Sequence, residues 1–208
     1  MRERNVLLVA AGFAPVFAER PLQDPALQQA RRAIDLVLAG HEPYPALAVD
    51  RHWQLVMANR AVAPLLAGAA VELLQPPVNV LRLSLHPSGL APRIENLRQW
   101  RDHVVARLFH QVEVSADPVL SALYEELRNY PMPEADRSAI DHPGHREAYG
   151  DVVVPFRLRT DGGVLSFFST TTVFGTAVDI TLSELAIESF FPADAATAEA
   201  LRLQVPTP

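Results

Sequence analysis

Residues 152–174 read VVVPFRLRTDGGVLSFFSTTTVF, and their period decides the fold. Val152, Val154, Phe156 and Leu158 alternate with Val153, Pro155, Arg157 and Arg159. Asp161-Gly162-Gly163 then supplies a tight turn, and Val164 to Phe174 continues in extended residues. A period of two puts alternate side chains on opposite faces of a sheet, and Asp-Gly between two such runs is a strong hairpin signal. Pro155 withholds a ladder donor and predicts an edge or a bulge. Phe167 and Phe168, being adjacent, are expected on opposite faces, one of them against a helical layer. Downstream, Gly175-Thr176 turns the chain into Asp179 to Phe191, where alternation is weaker and a helix also fits. Pro192-Ala193-Asp194 stops that element, and Asp194 caps a last short helix through Leu203.

Upstream of the hairpin the signals are helical. Ile94, Leu97, Trp100, Val104, Leu108 and Val112 share one helical face, with Arg98, Arg101 and Arg107 largely off it. Asp117-Pro118 is a polar cap followed by proline at the first helical position, opening a helix with Leu120, Leu123, Tyr124 and Leu127 that ends near Pro131. Pro131 to Tyr149 is polar and proline-rich, a surface excursion. Earlier, Ala46 to Val49, a turn at Asp50-Arg51-His52, and alternation from Trp53 through Leu55 and Met57 predict a second hairpin. Asn59 is expected to cap a short helix through Leu65-Leu66, kept short by Pro64 and Gly68. Before it, Asp24-Pro25 opens a helix with an apolar stripe of Leu27, Ala30, Ile34, Val37 and Leu38, closed at Gly40. Asn5 to Ala11 is a helical run too short to stand alone.

The chain has 208 residues, 49% of them hydrophobic, enough for one substantial core. Cysteine is absent, so no disulfide framework, thiolate metal site or cysteine nucleophile exists, in keeping with a reducing cytoplasm. All 18 basic residues are arginine, and the formal net charge of -6 argues against a nucleic-acid surface on this region itself, because such surfaces concentrate positive charge. No apolar run approaches bilayer-spanning length, so neither membrane insertion nor export is expected. The order helix, hairpin, several helices, three antiparallel strands describes an α+β chain. A sheet interrupted by helices and finished by a meander is the PAS arrangement, in which the helical segment covers one sheet face and encloses a pocket.

Particular stretches carry a resemblance. These are His41-Glu42-Pro43-Tyr44-Pro45-Ala46-Leu47-Ala48-Val49-Asp50-Arg51-His52-Trp53 with Asn59, Asn79-Val80-Leu81-Arg82, His86-Pro87, the Trp100-Arg101 helix, and Asp117-Pro118 leading to Tyr130-Pro131. The clearest are Phe167-Phe168-Ser169-Thr170, Phe174-Gly175-Thr176, Asp179-Ile180-Thr181, Glu184-Leu185, and Ile187 through Asp194. Over roughly residues 40 to 203 the combination resembles the ligand-binding domain of MmyB-like transcription regulators. The resemblance implies a PAS-like antiparallel sheet covered by helices, with an N-terminal helical extension, and an apolar small-molecule ligand, fatty acids being the candidate class. Members usually carry an XRE-type helix-turn-helix ahead of this domain. On that basis residues 1–20 are expected to be the end of its last helix plus a connector, and 21–208 the regulatory domain. DNA is then contacted only through the preceding domain, and a homodimer is compatible with such a regulator.

Catalytic signatures such as G-x-S-x-G, H-E-x-x-H, a Walker loop or G-x-G-x-x-G are absent, so no enzyme and no cofactor are expected. His142 and His145, near Asp141 and Glu147, read as part of a solvated loop rather than a metal site. His86-Pro87-Ser88-Gly89 reads as a turn, and His103 and His110 as helix-surface residues. For an apolar ligand the expected lining is Leu81, Leu85, Trp100, Val104, Leu108, Phe167 and Phe168, each of which ordinary core packing also explains. About a dozen buried methylenes at about 0.8 kcal/mol each gain roughly 10 kcal/mol before binding costs. A carboxylate head group still needs a cation, and Arg82, set among Val80, Leu81 and Leu83, is the expected partner, with Arg157 behind it. Two rival readings are a dimerisation module with a filled core and a small hydrolase or isomerase using His86 or Ser88.

Overall fold

The computed structural model describes residues 1–132, 154–175, 177 and 179–203. The segment expected to be a surface excursion, with His142 and His145, lies beyond Met132 outside those residues, as do Val152 and Val153. In chain order the elements are α1 (Arg2–Ala10), α2 (Gln28–Gly40), β1 (Ala46–Val49), β2 (Leu55–Ala58), α3 (Val80–Leu85), α4 (Leu97–Ser115), α5 (Pro118–Arg128), β3 (Phe156–Thr160), β4 (Gly163–Val173), α6 (Ile180–Ser183), β5 (Ala186–Pro192) and α7 (Ala195–Leu203). The five strands form one antiparallel sheet in the order β2-β1-β5-β4-β3. The α+β expectation holds, and the last strand of the meander inserts beside the first of the chain.

Capping residues set the helix starts. Asp117 Oδ1 accepts from Val119 N at 2.8 Å with Pro118 at the first position of α5, and Asp194 Oδ1 accepts from Thr197 N at 2.7 Å to start α7. Asn79 Oδ1 accepts from Arg82 N at 3.0 Å, opening α3. Asn59 does not cap a helix. Its buried amide accepts from Ala46 N at 3.1 Å and donates to Leu38 O and Tyr44 O at 3.1 and 2.8 Å, joining the end of α2 to β1. The buried amide makes three hydrogen bonds there, and a 3-10 turn, Ala63–Leu66, follows. The weakly alternating stretch from Asp179 to Phe191 is helix and then strand: Asp179 caps α6 and the chain re-enters the sheet as β5.

The period of two sorts side chains between two cores. Ala46 and Ala48 of β1 and Ile187 of β5 face α2, joining Ile34, Leu38, Leu27 and Leu22. Leu47, Val49, Phe156, Leu158, Leu165 and Phe167 share the opposite core with α3, α4 and α5, through Leu81, Leu83, Leu85, Val104, Leu108, Leu120, Leu123 and Leu127. Phe167 is fully buried in that core, and Phe168 stacks on Phe191, ring centroids 5.3 Å apart. Helix α1 buries none of its residues and is held by polar contacts. Arg2 donates to Glu184 at 2.7 and 3.0 Å and to Glu19, while Asn5 bonds Phe17 O at 2.7 Å.

Candidate functional site

The helical side of the sheet encloses a cavity of about 110 Å³. Its floor is Leu47, Leu55, Phe156, Ser169, Glu188 and Phe190, and its roof is Val80, Leu81, Leu83, Ser84 and Leu90 around α3 together with Trp100, His103, Val104 and Arg107 of α4. Pro45, Trp53, Val62, Leu65 and Leu66 close the sides. Strand alternation explains the floor, since Ala186, Glu188 and Phe190 point to one face and Ile187 to the other. Helical spacing explains the roof: Trp100, Val104 and Arg107 follow at intervals of four and three.

Polarity gathers at one end. Arg107 Nη2 donates to Glu188 Oε1 at 2.7 Å and to Thr171 Oγ1 at 2.9 Å, and Thr171 Oγ1 donates to the same carboxylate oxygen at 2.8 Å. Glu188 is 5% exposed, and burial of a carboxylate on this scale demands such partners. The Arg107 guanidinium also lies 4.6 Å from the centre of the Trp53 ring, whose Nε1 donates to Gln111 Oε1 at 2.8 Å. Trp53 has a φ of 63°, a left-handed conformation that a bulky residue adopts at a cost of about 1–3 kcal/mol. Its backbone is secured on both sides, N–H to Asp50 O at 3.0 Å and C=O from Val80 N at 2.9 Å. His103 sits exposed at the rim. Partial burial lowers its pKa below the usual imidazole value, Arg107 lowers it further, and Glu188 partly offsets both. Elsewhere in the wall, Trp100 Nε1 donates to Ser84 Oγ at 2.9 Å.

These side chains form a largely aliphatic and aromatic chamber with one hydrogen-bonding end. A family model for the MmyB-like transcription regulator ligand binding domain matches residues 30–203. The chain belongs to that family. No curated protein matches it.

In this MmyB-like ligand-binding domain, Leu81, Trp100 and Val104 of the expected lining reach the cavity. Leu85, Leu108 and Phe167 are buried in the surrounding core without lining it, and Phe168 lies on the far face of the sheet. Arg82 points elsewhere. It grips Glu126 with two hydrogen bonds of 2.6 Å, joined by the Tyr130 hydroxyl, beside a separate surface depression with His52 and Gln54. That pairing holds the Glu126 carboxyl below its ordinary value, while burial and the same carboxylate push the Tyr130 phenol up. Arg157 pairs with Glu95 at 2.7 Å. His86 and Ser88 close the expected turn, Ser88 N donating to His86 Nδ1 at 3.0 Å.

Sequence reasoning missed Arg107, Glu188 and Ser169. Arg107, expected largely off the apolar face of α4, falls seven residues after Trp100 and three after Val104, and so lies at the edge of that stripe and reaches the cavity. Glu188 carried a weak signal: an acid at the inward position between Ala186 and Phe190, in a stretch whose period was ambiguous. No helix among the described residues is long and apolar enough to cross a membrane.

Proposed function

We propose that this domain is the PAS-like, cytoplasmic sensor of a bacterial transcription regulator, binding an apolar small molecule in the cavity and passing occupancy to a DNA-binding domain N-terminal to it. The observation that carries the reading is the cavity itself: twenty side chains around a largely apolar chamber whose charged groups gather at one end. It favours a sensor over a dimerisation module with a filled core. About 110 Å³ suits a compact guest or the inner part of a chain, apolar cavities of about 150 Å³ being enough for benzene. Fatty acids are the candidate class, the chain meeting the aliphatic wall and the head group the Arg107 end; Arg82 is already committed to Glu126.

Transmission has a covalent and ionic route. Glu184, four residues before Glu188, holds Arg2 of α1, and Arg51, two residues before Trp53, pairs with Asp117 and lies 3.7 Å from Glu184. A ligand seated against Trp53 and Glu188 therefore bears on the segments that hold α1. It shifts the regulator only if it binds one arrangement of them better than another.

The test is calorimetric titration of unbranched eight- to twelve-carbon alcohols and acids into the protein, alongside Val104→Phe. Filling the chamber with a phenyl ring is expected to weaken binding at least about tenfold, or about 1.4 kcal/mol, while unfolding stays cooperative. If no member of the series binds the wild-type protein, the sensor reading falls and the filled-core module replaces it.

A further inference from the structure

The polar end of the cavity is charge-balanced before any ligand arrives. Among the lining residues the titratable or charged groups are His103 and Arg107 from α4 and Glu188 from β5; β4 contributes Ser169, without charge. Thr171, next on the same face of β4, completes the Arg107–Glu188 triangle. One guanidinium faces one carboxylate at 2.7 Å, and the exposed imidazole has its pKa lowered, leaving it neutral near pH 7. A second ionised carboxylate entering here shares Arg107 with Glu188 and meets that buried acid's like charge. Two carboxylates at one site do not both ionise readily, and one of them takes a proton. A hydroxyl has no such conflict, since it donates to Glu188 and accepts from Arg107.

Building on the proposed apolar cavity, we infer that the Arg107–Glu188 pair selects a chain ending in an uncharged hydrogen-bonding group, a primary alcohol or a protonated carboxylic acid, with Glu188 the residue that turns an ionised head group away. Glu188 is thus a specificity determinant. Removing its charge frees the Arg107 guanidinium, which then meets a ligand carboxylate directly.

Decan-1-ol and decanoic acid, which share a chain and differ in head group, are titrated into the wild-type protein between about pH 6 and about pH 8. The alcohol is expected to bind with a constant affinity across the range, and at least about tenfold tighter than the acid at the upper end. The acid weakens by about tenfold per pH unit, because binding takes up one proton. In Glu188→Gln, with folding checked by circular dichroism, the preference inverts toward decanoate and its pH dependence flattens. Should that variant fail to fold, the wild-type series decides alone. Decanoate binding that is independent of pH and tighter than that of the alcohol overturns the inference while leaving the cavity as a binding site. Binding of neither compound removes the sensor reading and this one with it.

Discussion

The two faces of the sheet are covered by helices in different ways, and the difference shows what makes a cavity. On one face α2 lays Ile34 and Leu38 over Ala46 and Ala48, small residues that let the helix pack close to the sheet. On the other, α3, α4 and α5 bring far larger side chains, Trp100, Phe156, Phe167 and a set of leucines, yet a chamber remains. More apolar bulk did not fill that face. The open face is the one whose floor carries Glu188, a buried carboxylate that must keep polar partners and that, with Thr171 beside it, holds Arg107 and its helix at hydrogen-bonding reach.

The largest effect that tests this contrast belongs to the closed face. Ile34 is fully buried, so Ile34→Ala should cost about 2–5 kcal/mol in denaturant unfolding and leave the affinity for decan-1-ol unchanged. A loss of ligand affinity without a loss of stability would show that the two cores are not separate. An intermediate effect belongs to the outer side of the helical layer. The Arg82–Glu126 pair is more than a third exposed at both partners, so solvent screens it, and Arg82→Ala should cost about 0–1 kcal/mol with no change in ligand binding. A drop in affinity there would return Arg82 to the site.

The smallest effect lies at the rim. His103 should titrate below about 6.5, followed by its imidazole NMR signals, and lower still in Glu188→Gln, where the offsetting carboxylate charge is gone. Because the folded-state value is depressed, the unfolded chain binds the proton more readily. The contribution of His103 to stability is therefore complete above about pH 6.5 and is lost as pH falls below it toward the folded-state value. Titration above about 6.5 would mean that Glu188 outweighs both burial and Arg107.

Much of this architecture was legible in the sequence, and the failures share a cause. Asp161-Gly162-Gly163, Asp117-Pro118 and Asp194 each act within a few residues, through turn geometry or a side chain bonding a nearby backbone N–H, and each element they announce is present. Asn59 has the same local chemistry available, but its amide is taken by Leu38, Tyr44 and Ala46, partners fixed only once α2 and β1 have met. The site follows the same division. Leu81, Trp100 and Val104 lie on stripes that periodicity exposes. Arg82 and Arg107 sit on comparable apolar backgrounds, and what separates them is which carboxylate each meets across the fold, Glu126 outside the cavity or Glu188 within it.

The position of the indoles has a practical corollary in photophysics. The chain contains two tryptophans, Trp53 and Trp100, and both line the cavity, one beneath the Arg107 guanidinium and the other bonded to Ser84. All of the protein's indole emission therefore originates at the wall of the chamber. A guest that displaces water there alters the emission wavelength and intensity of the unmodified protein, so occupancy can be read without a label, a probe or an engineered reporter.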